Sequence, residues 1–277
     1  MKEIPKGGLI GKIYHTVRAL EEKDIPIHAA NASFFIVLAV FPALLLLLGI
    51  LRYTPLDVHA LIGVLEGVLP AALLPEAEKL ILNTYQSTSG MVISLSAVAT
   101  LWSASRGIYG LLTGLNAVYE TSEDRGYLYT RSISVVYTFL FFLVLLLTLV
   151  LHVFGSALVG ALESLDNPLM RLLTGIIDLR FFLLLAVQTA VFTAIFTVLP
   201  NRKNRPSESL PGALLAAIGW QVFSHVYSLY VDHFPSYANI YGSVYAVALS
   251  MLWLYCCISI LFYGGALNYL IKNRENA

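Results

Sequence analysis

AANASFFIVLAVFPALLLLLGIL, residues 29–51, is the first long apolar run of the chain. A membrane-crossing helix needs roughly 20 apolar residues. A signal-peptide core runs only about 7–15 and ends at a small-residue cleavage site. No such site follows this run, so, although the segment before it is basic, the run is read as a retained first span. Five further stretches of the same kind follow. The expected spans are 28–52, 90–117, 132–160, 178–199, 209–231 and 241–270.

Composition agrees with that reading. Of 277 residues, 58% are hydrophobic and 12% charged, with mean hydropathy +0.76. A soluble domain carries roughly 25% charged residues, so this chain lacks the charge to coat a globule of its size. The expected fold class is an all-α integral membrane protein with six transmembrane helices. One membrane domain, 28–271, takes nearly the whole length, between an N-terminal segment 1–27 and a short tail 272–277.

Outside the spans, Ile10, Ile13, Val17 and Leu20 mark one face of residues 9–23 and basic residues another. This reads as an amphipathic helix lying in the membrane interface. The loop 53–89 is too polar to cross. Leu56, Leu61, Val64, Leu65 and Val68 suggest a short helix there, ended by Pro70, and Glu76 and Glu78 suit the first turn of a second one.

Net charge is zero, but its distribution is uneven. Lys2, Lys6, Lys12, Arg18, Lys23, Arg125, Arg131, Arg202, Lys203, Arg205, Lys272 and Arg274 fall on one side of the expected spans. Only Arg52, Lys79, Arg171 and Arg180 fall on the other. Basic residues favour the cytoplasmic side, so both termini are expected in the cytoplasm. The basic turn 201–205 sets topology or touches anionic head groups.

Polar residues inside spans are costly and usually face a bundle interior or a wet cavity. In the second span, Trp102, Arg106, Tyr109, Thr113, Asn116 and Glu120 form a stripe at helical spacing. Beside it run Ser103, Gly107, Gly110, Gly114 and Ala117. The Gly110–Gly114 pair lets a neighbouring backbone approach closely, so the small face should pack and the polar face turn inward. Arg106 is a fixed cation with five donors, suited to phosphate or carboxylate; pairing with a helical neighbour is the other use. In the fifth span, Gln221, His225, Ser228 and Asp232 share a face. His225 is either a proton relay or an interhelical hydrogen bonder. His152 with Ser156, Asp178, Arg180, Gln188 and Asn31 are weaker candidates, and Pro42 should kink the first span.

Several classes find no support. The chain has no GxxxxGK[ST], HExxH, GxSxG or paired CxxC. Its cysteines, Cys256 and Cys257, are adjacent in an apolar run and read as buried thiols. The histidines are scattered, so no metal or cofactor is expected. No basic aromatic face resembles a nucleic-acid platform, and no nucleophile sits beside a base.

HAANASFFIVLAVFPALLLLL at 28–48, LWSASRGIYGLLTGLNAVY at 101–119 with Glu123, Arg125 and Arg131, LPGA at 210–213, and IYGSVYAVALSMLWLYCCISILFYGGALN at 240–268 resemble the YihY/BrkB family of bacterial inner-membrane proteins. The resemblance covers all six spans in order and implies a six-helical fold in the inner membrane. It also implies a link to serum resistance and envelope lipid or lipopolysaccharide export, and part of the family carries a ribonuclease BN label. Arg106, Asn116, Arg125, Arg131, Tyr241, Gly242 and Asn268 match the family pattern. The acid usual after the Gly-Ala pair of the last span is replaced by Leu267, and Ala39 stands where the family often has Ser.

The leading expectation is therefore a transporter or flippase-like protein for an anionic amphipathic molecule, such as a phospholipid or lipid A-type precursor. Arg106 would hold the head group. Asn116, Trp102, Tyr109 and Gln221 would line the site, and His225 would couple to protons. Pro42, Gly107, Gly110 and Gly114 would permit helix movement. The expected partners are membrane lipids, without nucleic acid and with the oligomeric state open. The alternative is a non-transporting envelope scaffold. An enzyme, the ribonuclease included, ranks last, because RNA binding needs a basic surface that the scattered cations do not make.

Overall fold

The computed structural model describes residues 23–51, 78–79, 81–82, 89–126, 129–130, 132–135, 179–233 and 236–275. The expected amphipathic helix at 9–23, most of the loop 53–89 and most of the third span lie outside these residues, as do His152, Ser156 and Asp178. Among the described residues the fold is helical throughout, without a strand. Its long helices are α1 (Ile25–Leu51), α2 (Gly90–Val118), α3 (Leu179–Val198), α4 (Pro206–His233) and α5 (Ser236–Glu275). Each falls within a few residues of an expected span. Four segments, Ile25–Ala43, Gly90–Val118, Pro206–Val231 and Val247–Asn273, are long and apolar enough to cross a membrane, and Leu184–Val198 is a shorter apolar helix. Among the described residues the regular structure is therefore helical, with several helices fit by length and composition to cross a membrane.

Local chemistry sets the helix ends. Ser89 caps α2, its hydroxyl accepting from the Val92 amide at 3.4 Å. At the other end Glu120 has φ 51. Its amide donates to Ala117 O and the Thr121 amide reaches back to Asn116 O. That pair of bonds closes a Schellman turn, whose left-handed position is usually glycine. Pro206 opens α4, where a missing N–H costs nothing. Pro42 lies inside α1, which continues through it.

Helices α1 and α2 form an antiparallel pair along the small stripe. A Cβ on Gly107 would meet Ile36, one on Gly110 would meet Ala32, and one on Gly114 would meet Phe262 of α5 and His28. The small face therefore packs as expected. The polar face does not turn inward along its whole length. Among the described residues Asn116 is buried, but Trp102 is 50% exposed and Arg106 is exposed too. Glycine draws α1 onto the small face, and the arc carrying Trp102 and Arg106 is left at the edge of that contact, against Phe35 of α1.

Helices α3, α4 and α5 form a second antiparallel group. Gln221 of α4 donates to Gln188 of α3 at 2.9 Å. Trp253 of α5 donates to Ser224 of α4 at 3.1 Å. Where α4 crosses α5, a Cβ on Gly212 would strike Gly264 O, and one on Gly264 would lie 2.8 Å from the Ala216 Cβ. Asn268 fastens this crossing, accepting from the Gly212 amide at 2.7 Å and donating to Ser209 O at 3.0 Å. The core joining both groups includes Leu112, Leu115, Phe196 and Phe262, all fully buried.

Candidate functional site

The site expected from sequence centres on Arg106, near the middle of α2 and one turn beyond Trp102. Its guanidinium carbon lies 5.9 Å from the Phe35 ring centroid and 5.8 Å from that of Trp102. The two rings meet edge to face at 6.1 Å. Two aromatic faces attract a cation through their quadrupoles but leave its hydrogen-bond donors without acceptors. Among the described residues no carboxylate lies within ion-pair distance of Arg106. Tyr109 is half-buried on the next turn.

The other expected site residues lie apart from Arg106. Gln221 is paired with Gln188 in the second helix group, and His225 is exposed one turn further along α4. Helices α2 and α4 share no extended packing. Ser228 is exposed as well, and Asn31 is exposed on α1. The side chains of Asp232, Arg180, Tyr241 and Tyr245 lie outside the described residues. The two thiols are free; Cys257 is buried beside the Ser224 hydroxyl at 4.0 Å. Among the described residues no group of three His, Cys, Asp or Glu side chains is placed to hold a metal.

Asn116 belongs to a different constellation, at the end of the bundle where α2 stops. Its Nδ2 donates to Glu123 Oε2 at 2.7 Å, and its Oδ1 accepts from the Asn201 amide at 2.7 Å. Both halves of the amide are thus committed within the protein. Arg125 grips Glu123 in bidentate fashion, Nε to Oε1 at 2.6 Å and Nη2 to Oε2 at 2.7 Å, and also reaches Leu199 O. Asn201 Nδ2 donates to Ser122 O at 2.9 Å. The turn after α2 is thereby stitched to the turn between α3 and α4.

Alongside lies a second polar cluster that the sequence did not reveal. Lys23, only 5% exposed, donates to Val118 O at 2.8 Å and to Glu120 Oε1 at 2.9 Å. Tyr269 of α5 donates to Glu120 Oε2 at 2.5 Å. The Lys23 ammonium also sits 4.2 Å over the Tyr269 ring. Arg202 lies 6.0 Å from the rings of both Tyr119 and Tyr269, and Lys272 pairs with Glu208. The hydrogen bond from Tyr269, aided by Lys23, holds the Glu120 carboxyl below its usual range. Arg125 does the same for Glu123, with Asn116 adding to it. Burial pushes the Tyr119 phenol up to about 12. Its buried hydroxyl has no hydrogen-bond partner; the neighbouring Asn268 amide, which weakly offsets that rise, is already engaged with Gly212 and Ser209. Partners such as Lys23 and Val118 lie 95 residues apart, so only charged and aromatic residues at helix ends hinted at the cluster.

The match to known proteins covers almost the whole chain. The family model described as Virulence factor BrkB matches residues 16–277. A ribonuclease-like protein of Bacillus subtilis, YfkH, is 30% identical over 89% of this chain and 90% of its own length. A UPF0761 membrane protein of Vibrio parahaemolyticus is 24% identical over 95% of this chain and 82% of its own. One from Photobacterium profundum is 24% identical over 93% and 80%. No solved structure matches the chain. With the family model spanning all the helices described above, the chain belongs to the BrkB family of membrane proteins.

Proposed function

We propose that this protein is a transporter or flippase-like carrier of an anionic amphipathic molecule, a phospholipid or lipid A-type precursor, and that Arg106 holds the head group. The observation that carries this reading is Arg106 itself. It is a permanent cation near the middle of an apolar helix, cradled by Phe35 and Trp102, with no carboxylate beside it among the described residues. A charge in hydrocarbon is expensive. A phosphate from a lipid offsets that cost through bidentate hydrogen bonds. Membrane lipids are the proposed partners, and no enzymatic step or nucleic acid enters the proposal. The ribonuclease-like name belongs to the Bacillus subtilis relative.

We further propose six spans, in a bacterial inner membrane, with both ends in the cytoplasm. Helix α2 ends beside Lys23 and Tyr269, and α3 runs toward that same end, which supports a further span between them. The third span expected at 132–160 lies mostly outside the described residues. Lys23, Arg125, Arg202 and Lys272 gather at one end, which basic-side asymmetry assigns to the cytoplasm.

The exposure of Arg106 favours a second reading, an envelope scaffold in which Arg106 meets an anionic partner protein. Native mass spectrometry of the purified protein with phosphatidylglycerol and phosphatidylcholine separates the two. The transport reading expects retained phosphatidylglycerol, lost in Arg106→Ala and partly kept in Arg106→Lys. Equal retention of both lipids by all three proteins would contradict it.

A further inference from the structure

We infer that the polar cluster around Glu120 is a cytoplasmic gate, a latch holding two helix bodies closed at one end; this inference rests on the transport reading. One body is the α1–α2 pair, zipped along its glycine stripe. The other is α3–α4–α5, joined by Gln188–Gln221, Trp253–Ser224 and the Gly212–Gly264 crossing. Within each body the contacts run along the helices. Between the bodies, among the described residues, a set of polar contacts gathers at one end. They are Tyr269 to Glu120, Asn201 to Asn116 and Ser122, and Arg125 to Leu199 O. Helix α5 also packs against α1, and Phe262 against Gly114 and Gly265 against Leu115 lie toward the latched end. Such an arrangement lets one body rock on the other once the end contacts part.

Two features indicate a latch and not simply a well-made helix end. Glu120 occupies a left-handed backbone position, φ 51, where glycine would sit without strain. Its carboxylate is what Lys23 and Tyr269 both grip, so a strained residue carries the link. Strain of this kind concentrates at switch segments. The closed arrangement also buries the Tyr119 hydroxyl without a partner, a cost that opening relieves. The latch bonds and these two costs oppose each other, as a reversible gate requires.

The test places spin labels at Asp124→Cys on the first body and Lys203→Cys on the second, in a Cys256→Ala/Cys257→Ser background. Distances are measured by pulsed electron resonance on the full chain in nanodiscs containing phosphatidylglycerol. The latched protein should give one short distance. Tyr269→Phe, Glu120→Gln and the double variant Glu120→Gln/Asn116→Ala should add a second, longer population, largest in the double. A single unchanged distance in all three, with each protein monodisperse, would overturn the gate. Should the double variant fail to fold, Tyr269→Phe, which removes only a hydroxyl, decides alone. Lipid translocation is scored separately on the same proteins. A longer population without translocation keeps the two-body latch and rejects transport. Translocation with one fixed distance keeps transport and rejects the gate.

Discussion

Glu120 and Asn116 sit one turn apart at the end of α2, yet substitutions at the two should differ. Glu120→Gly removes a left-handed strain of about 1–2 kcal/mol and loses a carboxylate whose side chain is 62% exposed. Its partner Lys23 is buried and keeps only Val118 O as an acceptor, so the lost pair costs more than the ~0–1 kcal/mol of a fully exposed one and offsets the relieved strain. Asn116→Ala strands the Asn201 amide, while Glu123 Oε2 keeps Arg125, and leaving a buried donor unmade costs about 1–3 kcal/mol. Thermal denaturation in detergent should therefore place Glu120→Gly above Glu120→Ala, which loses the same carboxylate and keeps the left-handed strain, and Asn116→Ala below the parent; the reverse order in either comparison would contradict the bonding described. The pH response follows from the same carboxylates. Both are held below the ordinary 4.5 in the fold, so their contribution is complete above that value and fades as pH falls through the lower folded pKa. Between pH ~5 and pH ~3 the parent should lose more thermal stability than Glu120→Gln/Glu123→Gln. Equal losses would mean these carboxylates are not linked to folding.

Glycine placement governs the helices as elements. At the crossing of α4 and α5, Gly212 faces the Gly264 backbone, whereas Gly90 at the start of α2 has nothing within 4 Å. Gly212→Ala should lower stability by about 1–3 kcal/mol, the usual cost of overpacking, while Gly90→Ala should be neutral or slightly stabilising. Equal behaviour, read by thermal denaturation in detergent, would place the helix crossing elsewhere. A close contact on the small face of α2 was legible in sequence, since Gly107, Gly110 and Gly114 recur at helical spacing, but that α1 makes it was not. The α4–α5 crossing was visible only as residues shared with a family, LPGA and Gly264 to Asn268. A glycine states that something comes close but not what. Helix ends were legible to within a few residues, because hydropathy changes sharply where α2 meets Ser89 and Tyr119. The turn chemistry at Glu120 was not, since a left-handed glutamate breaks the pattern that normally marks such ends.

For the molecule as a whole, hydropathy and charge asymmetry carry the architecture: helices crossing a membrane, with basic ends gathered together. The candidate site was legible as a residue, Arg106, and as its aromatic neighbour Trp102, because both lie on one helix. Phe35 was not, since it comes from α1. Asn116 read as a possible ligand from its stripe, but its partners on distant turns absorb both of its polar atoms. Gln221 likewise finds Gln188 and not Arg106, a pairing that span-by-span reading does not reach. What remains central is the cation within the apolar helix. The measurement that tests it most directly is lipid translocation in proteoliposomes, with labelled anionic and zwitterionic lipids and Arg106→Ala and Arg106→Lys reconstituted beside the parent. The expected result is transport of the anionic lipid by the parent, a loss of at least about tenfold in Arg106→Ala, corresponding to about 1.4 kcal/mol, and partial recovery in Arg106→Lys. Transport by none of the three from folded protein, or transport indifferent to Arg106, would contradict the account.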